Sequence, residues 1–164
     1  MEAERSLAKT ETELAKTETE TEENKSDSAL KSKTVRLRPH HLLCTQGYSG
    51  KGYSDGFVAH MNQVVGYLRN DPNAKLQLVF TTDDICIACP RKLGEDSCKD
   101  QAKVKSFDNK LVRYFGLEEG RIYQYRTITE HIDRNMTERK LCDICDGCSW
   151  YPISACRAKI CKQI

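Results

Sequence analysis

No run of eighteen apolar residues occurs anywhere in the 164-residue chain, and a helical membrane span needs about that many. The opening Met-Glu-Ala-Glu-Arg-Ser carries no apolar signal core, so no secretory leader is expected and the setting expected is cytoplasmic. Aromatic residues are missing from positions 1–33, where Ala-Lys-Thr-Glu-Thr-Glu at Ala8 is repeated at once from Ala15. Such a Thr/Glu/Lys tract has too little apolar surface to offset the entropy of ordering it, which predicts a disordered tail. Residues 34–164 are then one cysteine-rich domain with a modest core. Deleting residues 1–33 is accordingly expected to leave metal content and melting temperature unchanged, and a truncated protein that fails to fold would show that the tail carries an ordered element.

Charge of one sign is also missing. The whole chain is formally +2, and the tail through Thr34 holds nine acids and six bases, leaving 20 Lys/Arg against 15 Asp/Glu in the domain. The bases are scattered and no aromatic-interleaved basic stripe occurs, so nucleic-acid binding is unsupported.

Cysteine, by contrast, is abundant, with nine residues. Ile85-Cys86-Ile87-Ala88-Cys89-Pro90 is followed by Cys98, and Ile144-Cys145-Asp146-Gly147-Cys148-Ser149 by Cys156. Each copy is a Cys-x2-Cys and then a third Cys, a spacing that lets two sulfurs of one tight turn grip a metal while a loop returns a third. An odd total and the absence of a leader argue against a fully paired disulfide framework.

Between the cysteines the pattern alternates. Pro39 suits the first turn of a short helix over His40–Cys44 that Gly47 could end, and a turn-rich loop, Gly47 to Ser54, follows. Phe57, Met61, Val64, Val65 and Leu68 share one helical face, Asp71-Pro72 stops that helix, and Leu76 to Phe80 reads as a strand. The order then repeats. Val104, Phe107, Leu111, Val112 and Phe115 form a second helical face, Arg121 to Arg126 a second strand, and a further helix with a Thr127-x-x-Glu130 capping box and an inner face of Ile128, Ile132 and Met136 precedes Cys145. The class predicted is α+β, a small single domain with two helix-strand-CxxC units.

Leu37-Arg-Pro-His-His-Leu-Leu-Cys44, Gly47-Tyr-Ser-Gly-Lys-Gly-Tyr-Ser54 and Asp83-Asp-Ile-Cys-Ile-Ala-Cys-Pro90 together resemble the bacterial and archaeal family known as domain of unknown function 1284. The resemblance spans about residues 35 to 156. It implies a suspected iron–sulfur protein with no established reaction, and it carries over to Cys44, Cys86, Cys89, Cys98, Cys145, Cys148 and Cys156, with His40 and His41 in the first motif. Cys142 and Cys161 lie outside the pattern.

Thiolates suit both zinc and iron–sulfur clusters. A zinc ribbon wants its second Cys pair about 15–20 residues after the first, whereas a helix, a strand and another helix separate Cys89 from Cys145. Pro90 after Cys89, and Cys142-x2-Cys145-x2-Cys148, are ferredoxin-like. The expectation is therefore one or two 4Fe-4S clusters, with zinc as the alternative. A two-site arrangement adds Cys44 to the first phrase and Cys142 to the second; a one-site arrangement draws one Cys pair from each phrase. Cys161 is left over in both and reads as a free thiol.

His40 and His41 are candidates for ligation or proton delivery, or for ordinary helix-end packing. Lys51 and the surrounding glycines could meet an anion, but the Walker spacing is missing. Trp150 and Tyr151 are placed to shield sulfur from water. Three functions fit: an electron-transfer module with a redox partner protein, a cluster-dependent enzyme using His40 and His41 on a small substrate, and a zinc-stabilised interaction module.

Overall fold

The computed structural model describes residues 34–161; the tail predicted over 1–33 lies outside the described residues. The domain is α+β. Strand β1 (Val35–Leu37) leads into helix α1 (His41–Gly47) and the long α2 (Asp55–Asn70), and strand β2 (Lys75–Leu78) follows. A 3-10 turn (Ile85–Ala88) opens a small hairpin of β3 (Lys92–Leu93) and β4 (Ser97–Cys98). Then come α3 (Gln101–Phe115), β5 (Ile122–Gln124), α4 (Tyr125–Asn135), α5 (Glu138–Ile144) and α6 (Cys156–Ile160).

The main sheet has the order β1-β2-β5, with β1 parallel to β2 and β5 antiparallel to it. The two strands read from the sequence therefore pair with each other. Alternation fixes which face is inward: Val35 and Leu37 are buried around exposed Arg36, as are Leu76 and Leu78 around Gln77. Onto that face pack Phe57, Met61, Val64, Val65 and Leu68 of α2, the spacing of one stripe on a helix. Ser54 caps α2 by accepting the Phe57 N–H. Gly116 ends α3 at φ +64°, its N–H bonded to Val112 O, a left-handed position that favours glycine.

Several boundaries differ from those read in the sequence. The second strand stops at Gln124, and the following helix begins at Tyr125 with Gln124 at its cap position; Thr127 therefore lies inside the first turn, where its Oγ1 donates to Gln124 Oε1, and is not the cap of a box with Glu130. Met136 is buried but caps the end of α4, and a separate helix, α5, carries the chain to Cys145. Thr137 starts it by accepting the Lys140 N–H. The β3–β4 hairpin and α6 carry too few residues for a periodic pattern to announce them.

Gly47 is the last residue of α1, the helix end expected of it, and it has a second role. Helix α6 packs directly on α1, and a Cβ at Gly47 would collide with Cys156 Sγ and stand 2.8 Å from Cys156 Cα. Only a residue without a side chain lets these two backbones meet.

Candidate metal centre

The α1–α6 contact decides which thiols meet. Cys44 lies on α1, Cys145 and Cys148 follow the end of α5, and Cys156 begins α6; all four line one partly open cavity of about 150 Å³. At about 10–15 Å³ per water-sized sphere, that is room for on the order of ten such spheres. All nine cysteines are free thiols. Burial pushes the Cys44 thiol well above its ordinary range, and the neighbouring Cys156, Cys148 and Cys145 push it further. Cys145 is pushed up to about 12 by burial and by Cys148 and Cys156. Burial and neighbouring thiols thus disfavour the thiolate forms of Cys44, Cys145 and Cys156, and a cation that neutralises thiolates removes that resistance.

Cys44 thus joins the second phrase, where the two-site arrangement had assigned it to the first. Cys142, assigned to the second set, stands on the exposed side of α5 with its Sγ 3.2 Å from Tyr151 Oη, and does not line the cavity. The one-site arrangement is not seen either, since neither Cys86 nor Cys89 reaches the cavity.

The first phrase forms its own knuckle. Cys86 N–H donates to Asp83, Cys89 N–H to Cys86 O, and Lys92 N–H to Cys89 O, after which the hairpin returns Cys98 opposite Lys92. Burial raises the thiols of Cys86 and Cys89, and Cys98 adds to the effect on Cys89. This set has three thiols. Tyr53 is within electrostatic reach of both Cys89 and Cys44.

Two imidazoles also face the cavity. His40 and His41 have ring centroids 4.2 Å apart, and each is anchored through Nδ1 by a buried carboxylate, His40 to Asp108 Oδ1 at 2.7 Å and His41 to Asp83 Oδ2 at 2.5 Å. The anchors are themselves saturated. Asp108 accepts Arg38 Nε at 2.9 Å, Arg38 Nη2 at 2.6 Å and the His40 N–H; Asp83 accepts the N–H groups of Arg38 and Cys86. Burial alone would raise the Asp83 carboxyl, but His41 and these donors outweigh it and hold it well below the usual carboxylate range. Asp108 is lowered in the same way against its own burial, by His40 and Arg38. Burial, then the charge of His41, lowers His40 and favours its neutral form, while Asp108 works in the opposite sense. With Nδ1 occupied on both rings, Nε2 is the nitrogen left to the cavity.

His41, Asp83 and Cys86 are the one set of three ligand-type side chains with atoms all within 4.8 Å of one another among the described residues. The 2.5 Å hydrogen bond between two of them leaves no space for an ion. Arg38, Asp83 and Asp108 were not singled out from the sequence. Asp83 and Arg38 sit inside the quoted motifs, whereas Asp108 lies within an ordinary helical pattern and gives no signal.

The remaining expectations fall as follows. Trp150 and Tyr151 line the cavity with the thiols, and exposed Lys51 stands at its edge. His60 Nε2 is 2.6 Å from Asp84 O and ties α2 to the 3-10 turn; His131 stacks edge-on with Phe115. Among the described residues no helix is long and apolar enough to cross a membrane.

Compared with known proteins, residues 52–154 match the family described as a protein of unknown function (DUF1284). Cys44, His40, His41 and Cys156 fall just outside the matched span. Neither the curated proteins nor the solved structures give a match.

Proposed function

Since the chain belongs to the DUF1284 family, whose description assigns no activity, we propose from its own geometry that it is an iron–sulfur protein acting as an electron-transfer module. Cys44, Cys145, Cys148 and Cys156 would hold a 4Fe-4S cluster, and Cys86, Cys89 and Cys98 a second group. One observation carries the reading: four thiols from three segments line one pocket, together with apolar side chains such as Leu43, Phe57, Met61 and Phe107. Protein interiors are packed close to crystal density, so a pocket of this size with four thiols in its lining suits a resident group.

The spread of the donors favours a cluster over zinc. A tetrahedral zinc with bonds of about 2.3 Å draws its sulfurs to about 3.8 Å from one another. No three of these cysteines fall within 4.8 Å of one another. A complete set of four thiolates closes every iron position, as a carrier requires. Trp150 and Tyr151 line the same pocket, where they would limit water at the sulfurs of a bound cluster and so bear on its reduction potential. A redox partner protein would accept the electron.

A second reading has its own observation. Two carboxylate-anchored imidazoles facing the thiol cavity are the arrangement of an acid–base pair, which favours a cluster-dependent enzyme acting on a small substrate. In that case an iron held by the three-thiol set keeps an open position.

One preparation tests all of this. Protein purified without air is expected to be brown, with iron and acid-labile sulfide in equal amounts and little zinc. Cyanide added to the dithionite-reduced sample should leave the electron paramagnetic resonance spectrum of a carrier unchanged, whereas a shifted spectrum favours the enzyme. A colourless, folded preparation with stoichiometric zinc would defeat both and support a zinc-stabilised interaction module.

A further inference from the structure

Seven cysteines belong to the two thiol sets, and two remain. Cys142 lies within α5 and Cys161 caps the end of α6, the helices next to Cys145 and Cys156 of the pocket. Glu138 on α5 and Arg157 on α6 form an ion pair. Residues four apart on a helix share a face. Cys142 is four residues after Glu138, and Cys161 is four after Arg157. The Cys161 N–H donates to Arg157 O at 3.1 Å, so the turn continues to it. The ion pair thus joins two stretches that each carry a cysteine one turn further on, Cys142 within α5 and Cys161 at the cap of α6.

Electrostatics agree with this placement. Burial raises the Cys161 thiol, and the next influences on it are Glu138 and Cys142, both on α5. Cys142 is exposed, with Tyr151 Oη beside its sulfur, while Cys161 is partly buried. That asymmetry sets an order of attack: a reagent in solution reaches Cys142 first, and Cys161 waits behind it.

We propose that Cys142 and Cys161 are a redox-active dithiol whose disulfide clasps α5 to α6 beside the cluster ligands. The oxidant is a low-molecular-weight disulfide of the glutathione type. The Cys142 thiolate attacks one sulfur of it, forming a mixed disulfide and releasing one thiol. The Cys161 thiolate then attacks the Cys142 sulfur, closing the protein disulfide and releasing the second thiol. The protein loses two electrons and two protons, and the reagent takes up both to become two thiols. Reduction by a dithiol reverses the sequence. The clasp limits separation of the two helices that carry Cys145 and Cys156, so its oxidation state bears on how firmly the cavity thiols are held.

The proposal rests on the cluster reading only in taking Cys145 and Cys156 as engaged, and iron and sulfide are measured on the same samples to keep the two apart. Whole protein, prepared without air, is incubated with oxidised glutathione, alkylated with N-ethylmaleimide and digested with trypsin. The expected result is one cross-linked species joining peptide 141–157 to peptide 160–162, two fewer alkylated cysteines, unchanged iron, and full reversal by dithiothreitol. Cys161→Ser should instead retain a glutathione adduct on Cys142, and Cys142→Ser should yield no cross-link. A glutathione adduct persisting on Cys142 in the unaltered protein, a cross-link through Cys145 or Cys156, or no loss of thiols would each overturn the assignment, whatever metal the protein holds.

Discussion

Cys44→Ser protein, prepared without air, is expected to lose most of the iron and sulfide of the four-thiol cavity and to melt broadly or not at all. In the proposed cluster site, Cys44 is the ligand that the first helix would contribute to a set otherwise drawn from the last segment of the domain. Its removal leaves three thiols in a pocket next to the α1–α6 contact. The core is small, and in small metal-binding domains the binding free energy of the metal is largely the folding free energy. Cys148→Ser should behave in the same way. Cys142→Ser and Cys161→Ser should keep full iron content and a sharp transition under reducing conditions, since neither side chain lines the cavity. Cys89→Ser removes one of three thiols in the other set and should lower the iron content by that set's share alone. Iron analysis and thermal melts on the five variants decide the matter. If Cys142→Ser cost the second phrase its iron while Cys44→Ser lowered the iron only by the first phrase's share, the ligand sets would be those of the two-site arrangement read from the cysteine spacing.

Asp108→Asn is expected to cost about 3–5 kcal/mol, the usual penalty for breaking a buried ion pair from one side. The loss is large because Arg38 and Asp108 are both almost fully buried and joined by two hydrogen bonds, so the guanidinium would be stranded away from water. The same carboxylate holds the His40 ring and its N–H. Replacing both partners at once, Arg38→Met with Asp108→Leu, should recover part of the loss, because neither member of the pair then leaves an unpaired charge buried. Denaturant midpoints of the two variants and the parent measure the difference, and a parental midpoint for Asp108→Asn would show that the pair contributes little.

The pH dependence follows with a definite sign. Asp83 and Asp108 are both held below the usual carboxylate range, so their contribution is complete above about pH 4, the unfolded carboxylate value. It is lost as pH falls through the lower folded values. The Asp108→Asn variant should lack its share of that acid-side loss.

The local devices of this fold were legible in the residues. A helical stripe such as Phe57 to Leu68 is set by bond geometry within one turn, and so is a Cys-x2-Cys grip; each depends only on neighbours in sequence. The helix–strand order and the α+β class followed from such periods. Boundaries were less legible where a few residues decide them, as at Gln124, where strand β5 passes directly into α4 with no intervening turn residue. The carboxylate partners of the two histidines were not legible, because an aspartate inside a helix looks the same whether it meets solvent or, like Asp108, a buried arginine and imidazole. The grouping of the thiols was hidden for the same reason. Spacing says that Cys145 and Cys148 act together, but Cys44 joins them only because α1 packs on α6, and that packing requires Gly47 to present no side chain to Cys156. The sequence by itself determined the thiols and the turns that pair them; the long-range contact between the first and last helices decided which pairs share a site, since only close approach of distant backbones can close a four-cornered cavity.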